Sequence, residues 1–119
     1  MKKILVIDDE SIVRKSCERT LTPEGFQVTL ASSGQEGLDL LEKNTFGLIL
    51  LDIKMPDMDG IEILKKIKEQ WPNTKVIIIT GYSTVETAVM ALRLGALNHI
   101  EKPFTPDTLL AAIQEAFNQ

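Results

Sequence analysis

One cysteine in 119 residues rules out an internal disulfide, and Cys17 falls at helical spacing between Val13 and Leu21, where a buried core thiol is expected. No apolar run approaches the ~20 residues that a membrane helix needs. Met1-Lys2-Lys3 leads into a short strand pattern, unlike a signal peptide. No membrane partner is therefore expected, and cytoplasmic residence is the default. Positive charge is also scarce: 13 Lys and Arg stand against 17 Asp and Glu, a net charge of −4. Direct nucleic-acid contact, dominated by Lys and Arg on phosphates, is not expected of this domain. Linkers, repeats and low-complexity stretches are missing too, so residues 1–119 read as a single domain. No helix-turn-helix segment is present, which places any DNA-binding output elsewhere.

What is there is an ordinary globular composition, 44% hydrophobic and 25% charged, at a length that buries a core without disulfides or a structural metal. Five strand patterns are visible: 3–7, 27–31, 47–51, 75–79 and a shorter 98–101. The first, third and fourth are continuous apolar runs, as parallel strands covered on both faces require. A helix-length segment separates each from the next, giving a five-fold strand–helix repeat. Ser33-Gly34-Gln35-Glu36 has capping-box spacing, and Thr105-Pro106 places a cap residue and a first-turn proline before an apolar periodic segment. Gly25, Pro72-Asn73 and Gly95 mark helix ends.

An open parallel sheet with helices on both faces presents its ligand site beyond the carboxyl ends of the strands. Asp8 and Asp9 end the first strand, Asp52 the third, Thr80 the fourth and Lys102 the fifth, so five polar groups converge on one edge. Carboxylates ~4 Å apart repel by about 4 kcal/mol per pair at an effective dielectric near 20. A divalent cation removes that cost, and hard oxygen ligands with positions left for water and phosphate suit Mg²⁺, with Mn²⁺ able to substitute. Asp52 is then the natural nucleophile, because a carboxylate can attack phosphorus to form an acyl phosphate. Lys102 can neutralise a phosphoryl oxygen and Thr80 can donate its hydroxyl to another.

Asp8-Asp9, the stretch from Asp52 through Pro56 to Gly60, Thr80-Gly81 and Lys102-Pro103-Phe104 together resemble the signature of bacterial response regulator receiver domains, the CheY-like family. The match runs over essentially the whole chain. Thr80 to Val89, Leu94-Gly95-Ala96 and Glu101 to Phe104 further resemble the receivers of NtrC-type regulators. The resemblance implies a flavodoxin-like, doubly wound five-stranded parallel sheet of order 2-1-3-4-5 with five helices. It implies that Asp52 accepts phosphate from a sensor histidine kinase in a Mg²⁺-dependent reaction. Asp9, Asp52 and the backbone carbonyl of Lys54 would hold the metal, and Asp8 would reach it through water. Thr80 and Lys102 would bind the phosphoryl group, and Thr80 with His99 would form the switch. Pro103 would follow a cis peptide. Helix 4, strand 5 and helix 5 would then dock an effector domain or a second copy. Such a chain catalyses only its own phosphotransfer and autodephosphorylation.

Two positions depart from the family's commonest pattern. His99 stands where Tyr or Phe is usual, adding a pH dependence that a phenyl ring lacks, or serving only as an edge-strand ring. Gly81 replaces a frequent Ala, loosening its loop. Tyr82 and Lys54 flank the site, either as gates for the water that removes phosphate or as solvated side chains. Asp57 and Asp59 read as turn and cap residues rather than metal ligands. Trp71 shares a helical face with Ile63, Leu64 and Ile67 and reads as core. On the fourth helix Val85, Ala88, Val89 and Leu92 form one stripe, read as core-facing, with Met90 and Leu94 opposite as a candidate contact patch. A dehalogenase-type phosphatase also uses an aspartyl nucleophile, but it needs a second Asp where this chain has Lys54. A phosphate-independent interaction module is the remaining alternative.

Overall fold

A computed structural model describes residues 2–81 and 84–118. The strands are β1 (Lys3–Ile7), β2 (Gln27–Ala31), β3 (Leu48–Asp52), β4 (Lys75–Thr80) and β5 (Asn98–Glu101). The helices are α1 (Ser11–Leu21), α2 (Gly34–Lys43), α3 (Gly60–Gln70), α4 (Val85–Arg93) and α5 (Pro106–Phe117), with a short 3₁₀ turn at Thr22–Glu24. The sheet runs β2-β1-β3-β4-β5 with every pairing parallel, as expected. β3 and β4 each extend one residue beyond the apolar run, so Asp52 and Thr80 are the last strand residues rather than the first loop residues. Asp52 is held in register opposite Ile79.

The continuous apolar runs follow from burial on both faces. Alternate side chains of β1 and β3 part into two cores. Leu5, Ile7, Ile49 and Leu51 pack with Leu41 of α2, Ile63, Leu64 and Ile67 of α3, and Ala91 of α4. Ile4, Val6, Leu48 and Leu50 pack on the other face with Cys17 and Leu21 of α1 and Leu109, Ile113 and Ala116 of α5. Each fully buried Leu or Ile contributes about 1.5–3 kcal/mol, so the central strands carry a large share of the stabilising burial. Trp71 packs against the first core, and Cys17 is buried in the second.

The helix starts are set locally. Ser33 Oγ accepts from Glu36 N at 3.1 Å, Asp59 Oδ1 from Ile61 N at 3.0 Å and Thr105 Oγ1 from Thr108 N at 3.1 Å. Asp57 is also a cap, but of a different helix: its two oxygens accept from Gly34 N and Gln35 N of α2, 3.2 Å each. The loop after Asp52 is thereby clamped to the first turn of α2. Gly60 completes this clamp. A Cβ there would run into the Ile53 backbone, 2.7 Å from its carbonyl carbon, so α3 can begin against the end of β3 only without a side chain. Gly60→Ala is expected to cost at least about 2 kcal/mol by overpacking, read as a lowered urea midpoint with unchanged slope.

The fourth helix corrects the expectation drawn from its pattern. Val85 is 81% exposed, and Val89, Met90 and Leu92 are exposed with it. Ala91 is buried and Leu94 packs against the first core. The stripe of larger apolar residues thus faces outward. Small Ala91 lets the helix approach the sheet closely, and a wheel weighted by side-chain size points to the wrong face. Leu94 therefore leaves the candidate contact patch, while Met90 stays in it.

Candidate functional site

Asp8 follows β1 directly and is buried, its backbone N bonded to Ala31 O at 3.1 Å. Asp52 is 2% exposed at the end of β3, and Thr80 is buried at the end of β4. Lys102 follows β5, its N donating to Thr80 O at 2.8 Å, and the Lys102–Pro103 peptide is cis. The shared strand direction brings all four to one edge.

The Lys102 ammonium is the hub. Its Nζ lies 2.8 Å from Asp8 Oδ2, 2.8 Å from Glu10 Oε1 and 3.4 Å from Asp52 Oδ2. Asp8 Oδ1 accepts from Glu10 N at 2.9 Å, and Asp52 Oδ1 accepts from Lys54 N at 3.0 Å. Arg14 Nη1 donates to the Asp8 carbonyl at 2.8 Å, fixing the turn into α1. Asp8 Oδ2 is ion-paired with Lys102 but outside hydrogen-bond geometry, which leaves a buried carboxylate oxygen without an aligned donor. A cavity of about 180 Å³ opens above, lined by Glu10, Asp52, Lys54, Gly81 and Lys102.

The acids are short of positive charge. Burial pushes the Asp52 carboxyl up to about 6, with the neighbouring Asp8 charge adding to it against the pull of Lys54 N and Lys102. Asp8 is also raised, again chiefly by burial. Burial draws the Lys102 ammonium down, but the adjacent Asp8 and Glu10 carboxylates outweigh that and hold it firmly protonated. Ligand oxygens of Asp8, Glu10 and Asp52 all lie within 4.8 Å of one another. That donor set, all hard oxygen and including an oxygen no hydrogen bond satisfies, fits a divalent cation.

Of the residues expected at this edge, Asp8, Asp52, Thr80 and Lys102 converge. Asp9 is exposed and outside the acid trio. Lys54 is exposed in the loop beside Asp52, and His99 is half-buried in β5. Tyr82 lies outside the described residues. Glu10 is the member that the sequence pattern does not single out. The chain bends at Asp9, with Glu10 N bonded back to Asp8 Oδ1, and this local turn, which the spacing of the acids does not encode, places Glu10 beside Lys102.

Residues 4–114 match the response regulator receiver domain family. The chain belongs to that family. The receiver is 43% identical over 116 residues to the transcriptional regulatory protein FixJ of Bradyrhizobium diazoefficiens, covering 98% of this chain and 57% of that protein. It is 40% identical to sporulation initiation phosphotransferase F of Bacillus subtilis, over 96% of this chain and 92% of that one. A CheY-like receiver domain protein from Methanospirillum hungatei JF-1 superposes with a TM-score of 0.96 at 40% identity, covering 99% of this chain and 94% of its own. The receiver thus spans little more than half of FixJ and nearly all of the phosphotransferase. Among its described residues no helix is long and apolar enough to cross a membrane.

Proposed function

We propose that this receiver takes a phosphoryl group onto Asp52 from a sensor histidine kinase and relays the change through α4, β5 and α5 to an effector domain or a second copy. The observation that carries the reading is the Asp52 carboxylate, buried at a strand end yet open to a cavity shared with Lys102. An Asp52 oxygen would attack phosphorus in line as the bond from phosphorus to the donor imidazole nitrogen breaks, and the freed imidazole keeps the electron pair. Lys102 and Thr80 would meet the phosphoryl oxygens.

The family resemblance implies Mg²⁺, or Mn²⁺ in its place, held by Asp9, Asp52 and the Lys54 carbonyl with Asp8 behind a water; Asp8 and Asp52 stand in the acid cluster, and Asp9, exposed beside it, would have to turn in. When bound, the cation supplies positive charge to the phosphoryl oxygens. Asp52 must be ionised both to ligate and to attack. Protons therefore compete with the cation, and Mg²⁺ affinity is expected to fall by up to about tenfold per pH unit below the Asp52 value, about 6 in the metal-free protein. Mg²⁺ titrations at pH 5, 6 and 7.5 read this directly.

His99, three residues before Lys102, is the switch side chain in this reading, and Lys54 and Tyr82 gate the hydrolytic water. Met90, exposed on α4 beside Val89, belongs to the output face. The chain acts as a cytoplasmic phosphoacceptor, catalysing only its own phosphorylation and dephosphorylation, in one domain over 1–119.

The test is intact mass after incubation with acetyl phosphate and Mg²⁺. A labile phosphoryl adduct is expected, lost in Asp52→Asn and absent without metal. No adduct alongside tight Mg²⁺ binding would favour a phosphate-independent interaction module.

A further inference from the structure

Glu10 belongs to the acid cluster that could hold a cation, but its pairing with Lys102 is not explained by that role or by the acceptor role of Asp52. Its Oε1 accepts a 2.8 Å hydrogen bond from Lys102 Nζ, shorter than the 3.4 Å contact from Nζ to Asp52. The Glu10 side chain is 59% exposed, whereas those of Asp8 and Asp52 are 0% and 3%. Its backbone is fixed by the bond from Glu10 N to Asp8 Oδ1, so the side chain is the part that can leave. It also walls the cavity into which Asp52 opens. A phosphoryl group on Asp52 would enter that cavity with charge of the same sign as the Glu10 carboxylate and would need the same ammonium.

We propose that Glu10 is a positioning residue that holds the Lys102 ammonium on the Asp8 side of the site until a phosphoryl group displaces it. This rests on Asp52 being the phosphoacceptor. Asp8 is too deeply buried to release Lys102 by moving, and Asp52 is the group being modified. Glu10 is the partner able to swing into solvent, and its hold on Lys102 is a competitor that the phosphoryl group must overcome. Loss of the latch would strengthen the phosphorylated state.

The test is a titration of Mg²⁺-saturated protein with beryllofluoride, which stands in for a phosphoryl group on a carboxylate, followed by NMR. Wild type, Glu10→Gln and Glu10→Asp are compared. Asp keeps the charge but is one methylene too short to reach Lys102. Both variants are expected to bind beryllofluoride roughly three- to fivefold more tightly than wild type, the range of a partly exposed ion pair. The Lys102 ammonium protons are expected to exchange faster in both metal-free variants. If Glu10→Asp matches wild type while Glu10→Gln tightens, only the field of the charge matters and the latch is wrong. Unchanged affinity in both variants also overturns it. A tenfold loss of Mg²⁺ affinity in Glu10→Gln would make Glu10 a metal ligand instead. Failure of the wild type to bind beryllofluoride would remove the phosphoacceptor reading, and this inference with it.

Discussion

Asp52→Asn is expected to stabilise the metal-free protein by about 2 kcal/mol at pH 7 while abolishing phosphorylation. The carboxyl ordinarily titrates near 3.8 and is lifted to about 6 in the fold, mainly by burial. Between those values the native state binds more protons than the unfolded chain, so stability falls as pH rises through the window. Above pH 6 the full penalty is present, at about 1.4 kcal/mol for each pH unit that separates the two values. Asn keeps an oxygen for Lys54 N, which now bonds Asp52 Oδ1 at 3.0 Å, and carries no charge to bury. Part of the gain is offset because its amide would face the Lys102 ammonium. Urea unfolding of both proteins at pH 4.5 and 7 checks this: the gap between them should open with rising pH. Saturating Mg²⁺ should raise the stability of the wild type far more than that of the variant, because binding to the native state alone adds stability by mass action. A variant that is less stable than wild type at pH 7 without metal would show that Asp52 is a structural acid. The expected sign means that the site is maintained against the interest of the fold, as functional sites commonly are.

The sheet was legible because its signal is redundant. Three continuous apolar runs, the helix-length spacing between them and the turn residues all point to the same parallel order, in which Ile4 to Ile7 and Leu48 to Leu51 are fully buried. The polar edge was legible for the same reason, since an acid, a hydroxyl and a lysine that end buried strands are brought together by strand direction alone. The rest turns on side-chain direction, which a one-dimensional pattern carries weakly. Asp8, Asp9 and Glu10 are three consecutive acids, and only the turn after β1, with its bend at Asp9 and the bond from Glu10 N to Asp8 Oδ1, decides which of them meets Lys102. The outward face of α4 escapes the helical pattern because the helix packs through Ala91 and Leu94, leaving Val85 and Val89 in solvent. Asp57 is a cap, as its turn context indicates, yet its helix lies 22 and 23 residues back at Gln35 and Gly34. No local motif encodes that partner.

Lys102→Met should have the opposite sign and a larger size. Met is close to Lys in length and apolar shape, so packing is little disturbed, but the ammonium within 2.8 Å of Asp8 and Glu10 and within 3.4 Å of Asp52 is gone. Removing one partner of a buried ion pair typically costs about 3–5 kcal/mol, because the remaining charge is left uncompensated. Asp8 Oδ2, already without an aligned hydrogen bond, would then be a buried anion with no ammonium beside it. Two treatments should rescue the variant. Acid protonates Asp8 and Asp52, so the loss measured at pH 7 should shrink markedly by pH 4.5. Mg²⁺ replaces the missing positive charge, so the variant should bind it at least as tightly as wild type. Rescue of stability should not restore signalling, because the ammonium that would meet the phosphoryl oxygens is still missing. Phosphorylated or beryllofluoride-bound Lys102→Met is expected to keep the chemical shifts of His99 and α4 near their unmodified positions. Wild-type-like shifts on phosphorylation would assign the relay to Thr80 alone. Equal losses of stability at pH 4.5 and 7 would show that Lys102 contributes through packing rather than charge.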